Sequence, residues 1–147
     1  MNTKQEIAKI LLDLGAVSLR LNPPFTWASG RLSPIYCDNR LIMSHPVYRK
    51  TVSRGFAEML KEKSLIPEVI AGTATAGIPH AAWLADLLEL PMIYVRGQAK
   101  DHGKQNRIEG KLNPGQTVVL IEDLISTGGS SIDAAQGVID AGGKPLL

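Results

Sequence analysis

The chain has 147 residues, is 44% hydrophobic, and carries a net charge of +2 at pH 7. That length suffices for one domain with a core, that composition excludes a disordered chain, and so small a charge does not by itself point to nucleic acid. The single cysteine, Cys37, excludes an internal disulfide and fits a reducing cytosol, no apolar run is long enough to span a membrane, and the N-terminus lacks the cleavable apolar core of a signal peptide.

Thr3-Lys4-Gln5-Glu6 has capping-box spacing, with Thr3 as N-cap. Ile7, Ile10, Leu11 and Leu14 then share one helical face, and Gly15 can end the helix. This is a packing helix, without the basic helix-turn-helix of a DNA reader. Residues 22–42 are irregular, because Pro23, Pro24, Gly30 and Pro34 interrupt any long element. Taken alone, the order Phe25-Thr26-Trp27-Ala28-Ser29-Gly30, then Ser33-Pro34-Ile35-Tyr36-Cys37-Asp38, is a flap whose aromatics pack. A second helix starts with Ser44 as N-cap and Pro46 in its first turn. Val52, Phe56, Met59 and Leu60 form its buried stripe, and Arg49, Lys50, Arg54 and Lys61 its solvated face.

Residues 68–71 read as a short strand, followed by the small-residue loop Gly72-Thr73-Ala74-Thr75-Ala76-Gly77 and a helix over 78–88 with Ala82, Leu84, Ala85 and Leu88 apolar. Such a loop serves either tight strand–helix packing or a phosphate; His80, in the first helical turn, reads as packing or as support behind the site. Residues 91–95 form the next strand. The segment 96–110 is polar, with no apolar period, and a loop of that length inside a compact domain is usually functional or disordered. From 96 to 111 there are five basic residues (Arg96, Lys100, Lys104, Arg107, Lys111) against two acids (Asp101, Glu109), so the positive charge is local and suggests a local anion.

After the turn Asn113-Pro114-Gly115, residues 117–131 organise the chain. Val118 to Ile121 is a β-branched-rich apolar run, read as a strand buried on both faces. Glu122 and Asp123 stand at its carboxyl end, and Ser126, Thr127, Gly128, Gly129, Ser130 and Ser131 follow before the next helix. Ligands of open parallel sheets bind beyond the carboxyl ends of the strands. Gly128 and Gly129 permit close backbone approach, the hydroxyls donate, and the helix N-terminus offers free N–H groups, so the loop suits a phosphate. Two acids would repel a phosphate unless something lay between them. A ribose 5-phosphate meets that demand: the loop holds the phosphate and the acids accept from the 2′- and 3′-hydroxyls. Ile132, Ala135, Val138 and Ile139 make the following helical face, Gly142-Gly143 stops it, and residues 144–147 look like the start of another strand. Strands at 68–71, 91–95 and 117–122 alternating with helices predict an α/β fold with a parallel sheet and right-handed crossovers.

Residues 118–130 resemble the phosphoribosyl-diphosphate (PRPP) motif of the type I phosphoribosyltransferases. The segment Phe25-Thr26 through Tyr36 resembles the hood of the orotate-specific members, and Tyr36-Cys37-Asp38-Asn39-Arg40 with the loop 72–77 is similar to the form in Gram-positive bacteria. Arg96-x-x-x-Lys100-Asp101-His102-Gly103 resembles their mobile catalytic loop. The resemblance implies the type I fold, with an N-terminal helix and hood over 1–42 and a PRPP-binding core over 43–147. It implies transfer of the phosphoribosyl group of PRPP to orotate with magnesium, giving orotidine 5′-monophosphate and pyrophosphate, in a cytoplasmic homodimer with shared sites and no nucleic-acid or membrane partner. Catalytic roles fall to Lys100, His102 and Asp123. PRPP contacts fall to Arg96, Lys100, His102, Glu122, Asp123, Leu124, Ile125, Ser126, Thr127, Gly128, Gly129 and Ser130; orotate contacts fall to Ser126 and to backbone around Ile35 and Tyr36. No side-chain metal site is implied, the magnesium being held mainly through PRPP. The chain departs from the pattern at Ala28, Ala76 and Gly97, where related proteins carry lysines. Members of the group run on past this point, with more sheet and an arginine for the orotate carboxylate, so a missing carboxyl-terminal part is expected. Two alternatives stand beside this reading: a phosphoribosyltransferase for another base, and a catalytically silent PRPP-binding fragment.

Overall fold

The computed structural model describes residues 3–27, 29–97 and 107–146, in two compact units, 1–55 and 56–147. In the first unit, α1 (Thr3–Asp13) turns Ile7, Ile10, Leu11 and Leu14 inward, as their spacing predicts, and the Gly15 N–H closes the helix on the Leu12 carbonyl. The stretch expected to be irregular instead forms two small antiparallel pairs. β1 (Val17–Leu19) and β2 (Phe25–Thr26) are followed by β3 (Leu32–Ser33) and β4 (Ile35–Cys37); β1 pairs with β4, and β2 with β3. Strands of two or three residues leave too little alternation to be seen as a period. A 3₁₀ helix over Asn39–Ser44 follows, its first turn capped by the Asp38 carboxylate, which accepts from the Arg40 N–H. Because that helix absorbs Ser44, α2 (Pro46–Glu62) starts directly on Pro46, and His45 rather than Ser44 precedes it. Met59, expected in the buried stripe of α2, is exposed, while Ser53 is buried.

The second unit is a five-stranded sheet between helices. Its elements are β5 (Val69–Thr73), α3 (Gly77–Leu88), β6 (Met92–Val95), β7 (Ile108–Glu109), β8 (Thr117–Ile121), α4 (Gly129–Asp140) and β9 (Lys144–Pro145). The order across the sheet is β7-β6-β5-β8-β9, parallel throughout except for β7, which runs antiparallel to β6. The parallel sheet read from the sequence is present; β7 is an addition to it, inside the segment taken as a polar loop. Its two residues are held by tertiary pairing, not by any local pattern.

Every residue of β5 is buried, and the parity of the strands divides the core. Val69, Ala71, Ile93, Val95 and Val118 face α4 and meet Ala134 and Val138. Ile70, Val119 and Ile121 face the other way and meet Ala81, Leu84 and Ala85 of α3, with Leu60. Val118 and Val119 are both buried, on opposite faces, as a two-sided strand requires. Each such side chain contributes about 1.5–3 kcal/mol of burial. α4 is rotated relative to expectation: Ala134, Gly137 and Val138 face the sheet, and Ile132 and Ile139 lie exposed. The small residues let the helix sit close to the strands, which overrides the larger apolar residues in choosing the buried face.

Candidate active site at the carboxyl edge of the sheet

The register fixes where the loops emerge. Gly72 of β5 pairs with Ile121 of β8 on one side and with Tyr94 of β6 on the other. The second small-residue loop, the start of the basic segment at Arg96, and the Glu122–Asp123 pair therefore leave the sheet at one edge. The chain crosses from β5 to β6 on one side and reaches β8 on the other, so β5 and β8 diverge there, at the position where open α/β sheets bind ligands.

Close packing joins the two loops. A Cβ on Gly77 would lie 2.3 Å from the Ile121 carbonyl oxygen and 3.5 Å from the Glu122 Cα. Only glycine lets the first turn of α3 rest on the end of β8. Within the loop over 72–77 the Ala74–Thr75 peptide bond is cis. Past the acids, Leu124 and Ile125 are exposed, and Ser126 and Thr127 lead to Gly128, which has φ +81° and precedes α4 without a side-chain cap. The N–H groups in the first turn of α4, over Gly129 and Ser130, have no partners within the helix, as in any helix, and carry the positive end of its dipole.

The acids are not an ordinary ionised pair. The Glu122 carboxyl is pushed up to about 7, first by burial and then by a side-chain hydrogen bond with Asp123; the Asp123 N–H, donating 3.2 Å to Glu122 Oε1, and the Thr73 hydroxyl pull the other way. Near neutrality Glu122 is thus about half protonated, and the pair repels an anion less than two full carboxylates would. A protonated Glu122 also donates, so the pair can both give and accept hydrogen bonds at a diol. Behind it stand two polar groups the sequence reading gave no role at the acids. Thr73 ends β5 at 6% exposure, and His80, at 4%, has an Nδ1 with no hydrogen-bond partner among the described residues. His80 lies edge-on to Trp83, at 5.2 Å between ring centroids, and to Phe56. Burial holds its imidazole below the ordinary histidine range, against the pull of the Asp123 charge. Its signal in the sequence was position alone: three residues after Gly77, on the same helical face.

Arg96 follows β6 and pairs through Nε with Glu109 Oε1 at 3.3 Å. Lys100 and His102, like Ala28, lie outside the described residues. Ile35 and Tyr36 stand on β4 of the first unit. The Ile35 carbonyl accepts from the Trp27 indole at 3.0 Å, its N–H donates to Ser33 Oγ at 3.2 Å, and the Tyr36 ring lies 5.6 Å from that of Phe25. Among the described residues no group of three or more His, Cys, Asp or Glu side chains gathers to hold a metal ion, and no helix is long and apolar enough to cross a membrane.

A largely parallel α/β sheet with an acid pair and a small-residue loop after one strand, and a glycine-tight loop after its neighbour, has the architecture of the type I phosphoribosyltransferase fold. The phosphoribosyl transferase domain family matches residues 45–144. The orotate phosphoribosyltransferase of Enterococcus faecalis is 60% identical over 142 residues, 97% of this chain and 68% of that protein. That of Listeria innocua is 56% identical over 146 residues, 99% of this chain and 70% of that protein. Among solved structures, the orotate phosphoribosyltransferase of Aeropyrum pernix superimposes with a TM-score of 0.82 at 32% identity, covering 95% of this chain and 76% of that one. The chain belongs to the orotate phosphoribosyltransferase family.

Proposed function

We propose that this chain transfers the 5-phosphoribosyl group of PRPP to orotate, giving orotidine 5′-monophosphate and pyrophosphate in pyrimidine synthesis. The observation that carries this reading is the convergence of three strand ends, through the pairing of Gly72 with Ile121 and Tyr94, on one edge. As the ribose–pyrophosphate bond breaks, C1 gains oxocarbenium character, and the site must favour departing negative charge while shielding a reactive cation from water. Ser126, Thr127, Gly128, Gly129 and Ser130, with the flanking Leu124 and Ile125 backbone, hold the 5′-phosphate. Glu122 and Asp123 hold the ribose diol, and Asp123 offsets positive charge at C1. Arg96, Lys100 and His102 receive the pyrophosphate, and His102 can give it a proton. Ser126 and the backbone of Ile35 and Tyr36 take the base.

Magnesium, held mainly through the PRPP diphosphate rather than by side chains, is the metal of this reading. When bound, it neutralises charge on the diphosphate oxygens. A cytoplasmic homodimer with shared sites completes the reading.

Kinetics of Lys100→Ala test the assignment of the cationic segment: turnover falls far more than affinity for PRPP. Equal loss in both would make Lys100 a ground-state contact.

A further inference from the structure

Arg107 has no role in the reading above, yet its guanidinium is bonded at every nitrogen. It stands just before β7, with its side chain only 18% exposed. Nη2 pairs with Asp133 Oδ2, and Nη1 donates 3.2 Å to Asp133 Oδ1 and 3.2 Å to the Asp133 carbonyl. Nε donates 3.0 Å to the Arg96 carbonyl, and the Arg96 N–H returns a bond of 2.9 Å to the Arg107 carbonyl. The guanidinium lies against α4 where the helix has no side chain: a Cβ on Gly137 would come within 3.4 Å of Cζ and Nη1.

Two consequences follow. The fork joins α4, whose first turn closes the phosphate loop, to the backbone of Arg96. A planar two-point pairing fixes orientation as well as distance. The pairing also compensates Asp133, which stands one turn into α4, about 6 Å along the axis from Gly129.

We propose that Arg107 is a positioning residue for PRPP: clamped on Asp133, it locks the phosphate-loop helix to the strand end that carries Arg96. The proposal rests on the phosphoribosyl-transfer reading of the site.

The test is a double-mutant cycle on the full chain, with PRPP affinity measured by calorimetry and KM and kcat by steady-state turnover. Arg107→Gln raises the Kd and KM for PRPP about tenfold, with the KM for orotate and kcat held within about twofold. Asp133→Asn raises the Kd by a similar factor, and Arg107→Gln combined with Asp133→Asn is no worse than either single variant, since each breaks the same fork. A clamp with only a structural role would lower the melting temperature and leave the Kd where it was, which overturns the proposal. A double variant whose loss is the sum of the two single losses also overturns it, because Arg107 and Asp133 would then act separately. Should Arg107→Gln fail to fold, Arg107→Lys keeps the charge without the fork, and a Kd for PRPP unchanged from the parent would count against the clamp. Because calorimetry reads PRPP without orotate, a wrong choice of base leaves the Kd cycle intact, and the two failures are distinguishable.

Discussion

Replacing Glu122 with glutamine separates what the acid does for the reaction from what it costs the fold. Its carboxyl is pushed from its ordinary 4.5 up to about 7, chiefly by burial. A group raised in this way leaves stability whole below about 4.5 and erodes it as pH rises through the folded value of about 7. At about 1.4 kcal/mol per pH unit the full displacement amounts to about 3 kcal/mol. Glu122 is only half-buried, so solvent screening reduces that to about 1–2 kcal/mol. Glutamine imitates the protonated acid and can still accept the bond from the Asp123 N–H. Glu122→Gln therefore stabilises the chain at pH 8 by about 1–2 kcal/mol, about 3–8 °C in melting temperature. At pH 5 the gain shrinks to about a quarter of that. Melting curves of both proteins at the two pH values measure it, and titratable groups other than the partner Asp123 cancel in the difference. Turnover of the same variant falls, because the ribose loses an ionisable partner. A gain as large at pH 5 as at pH 8, or none at pH 8, would refute the reasoning that burial of this carboxyl strains the fold.

Three further outcomes are expected. Gly77→Ala, whose Cβ would meet the Ile121 carbonyl at 2.3 Å, forces backbone apart and destabilises by about 1–3 kcal/mol or more, with loss of PRPP-induced thermal stabilisation; a variant that melts and binds like the parent would mean that the two loops do not rest on each other. Gly128→Ala, at φ +81°, costs about 1–2 kcal/mol by chemical denaturation and weakens PRPP binding, whereas equal stability would mean that the loop adopts another backbone form. His80 is held neutral by burial, so the unfolded chain takes up its proton first; the resulting stability is complete above about 6.5 and is lost as pH falls through the lower folded value. His80→Gln therefore flattens the acid side of the melting-temperature profile between pH 6.5 and 5, and an unchanged slope would remove His80 as its source.

The core strands were legible because their signal is local. A strand buried on both faces must be apolar without interruption, and Val118 to Ile121 cannot be anything else at that length. The acid pair and glycine loop were legible for a related reason, since their chemistry is contiguous in the chain. What stayed hidden depends on tertiary partners. β7 is defined by its pairing with β6, which the Arg96 N–H on the Arg107 carbonyl continues, and nothing in Ile108-Glu109 announces it. The buried face of α4 was misjudged because Gly137 and Ala134 gain by closeness what Ile132 and Ile139 offer in size. Thr73 and the clamp of Arg107 on Asp133 join positions far apart in sequence, so no spacing rule reaches them, whereas His80, read as packing or support, is buried against Phe56 and Trp83.

The most direct measurement of the central claim is orotate consumption by the purified chain with PRPP and magnesium, against controls lacking each and a panel of purine bases and uracil. Loss of orotate with matching release of pyrophosphate, dependent on PRPP and not seen with the other bases, is the predicted result. Turnover of another base in place of orotate, or thermal stabilisation by PRPP with no turnover of any base, would contradict it.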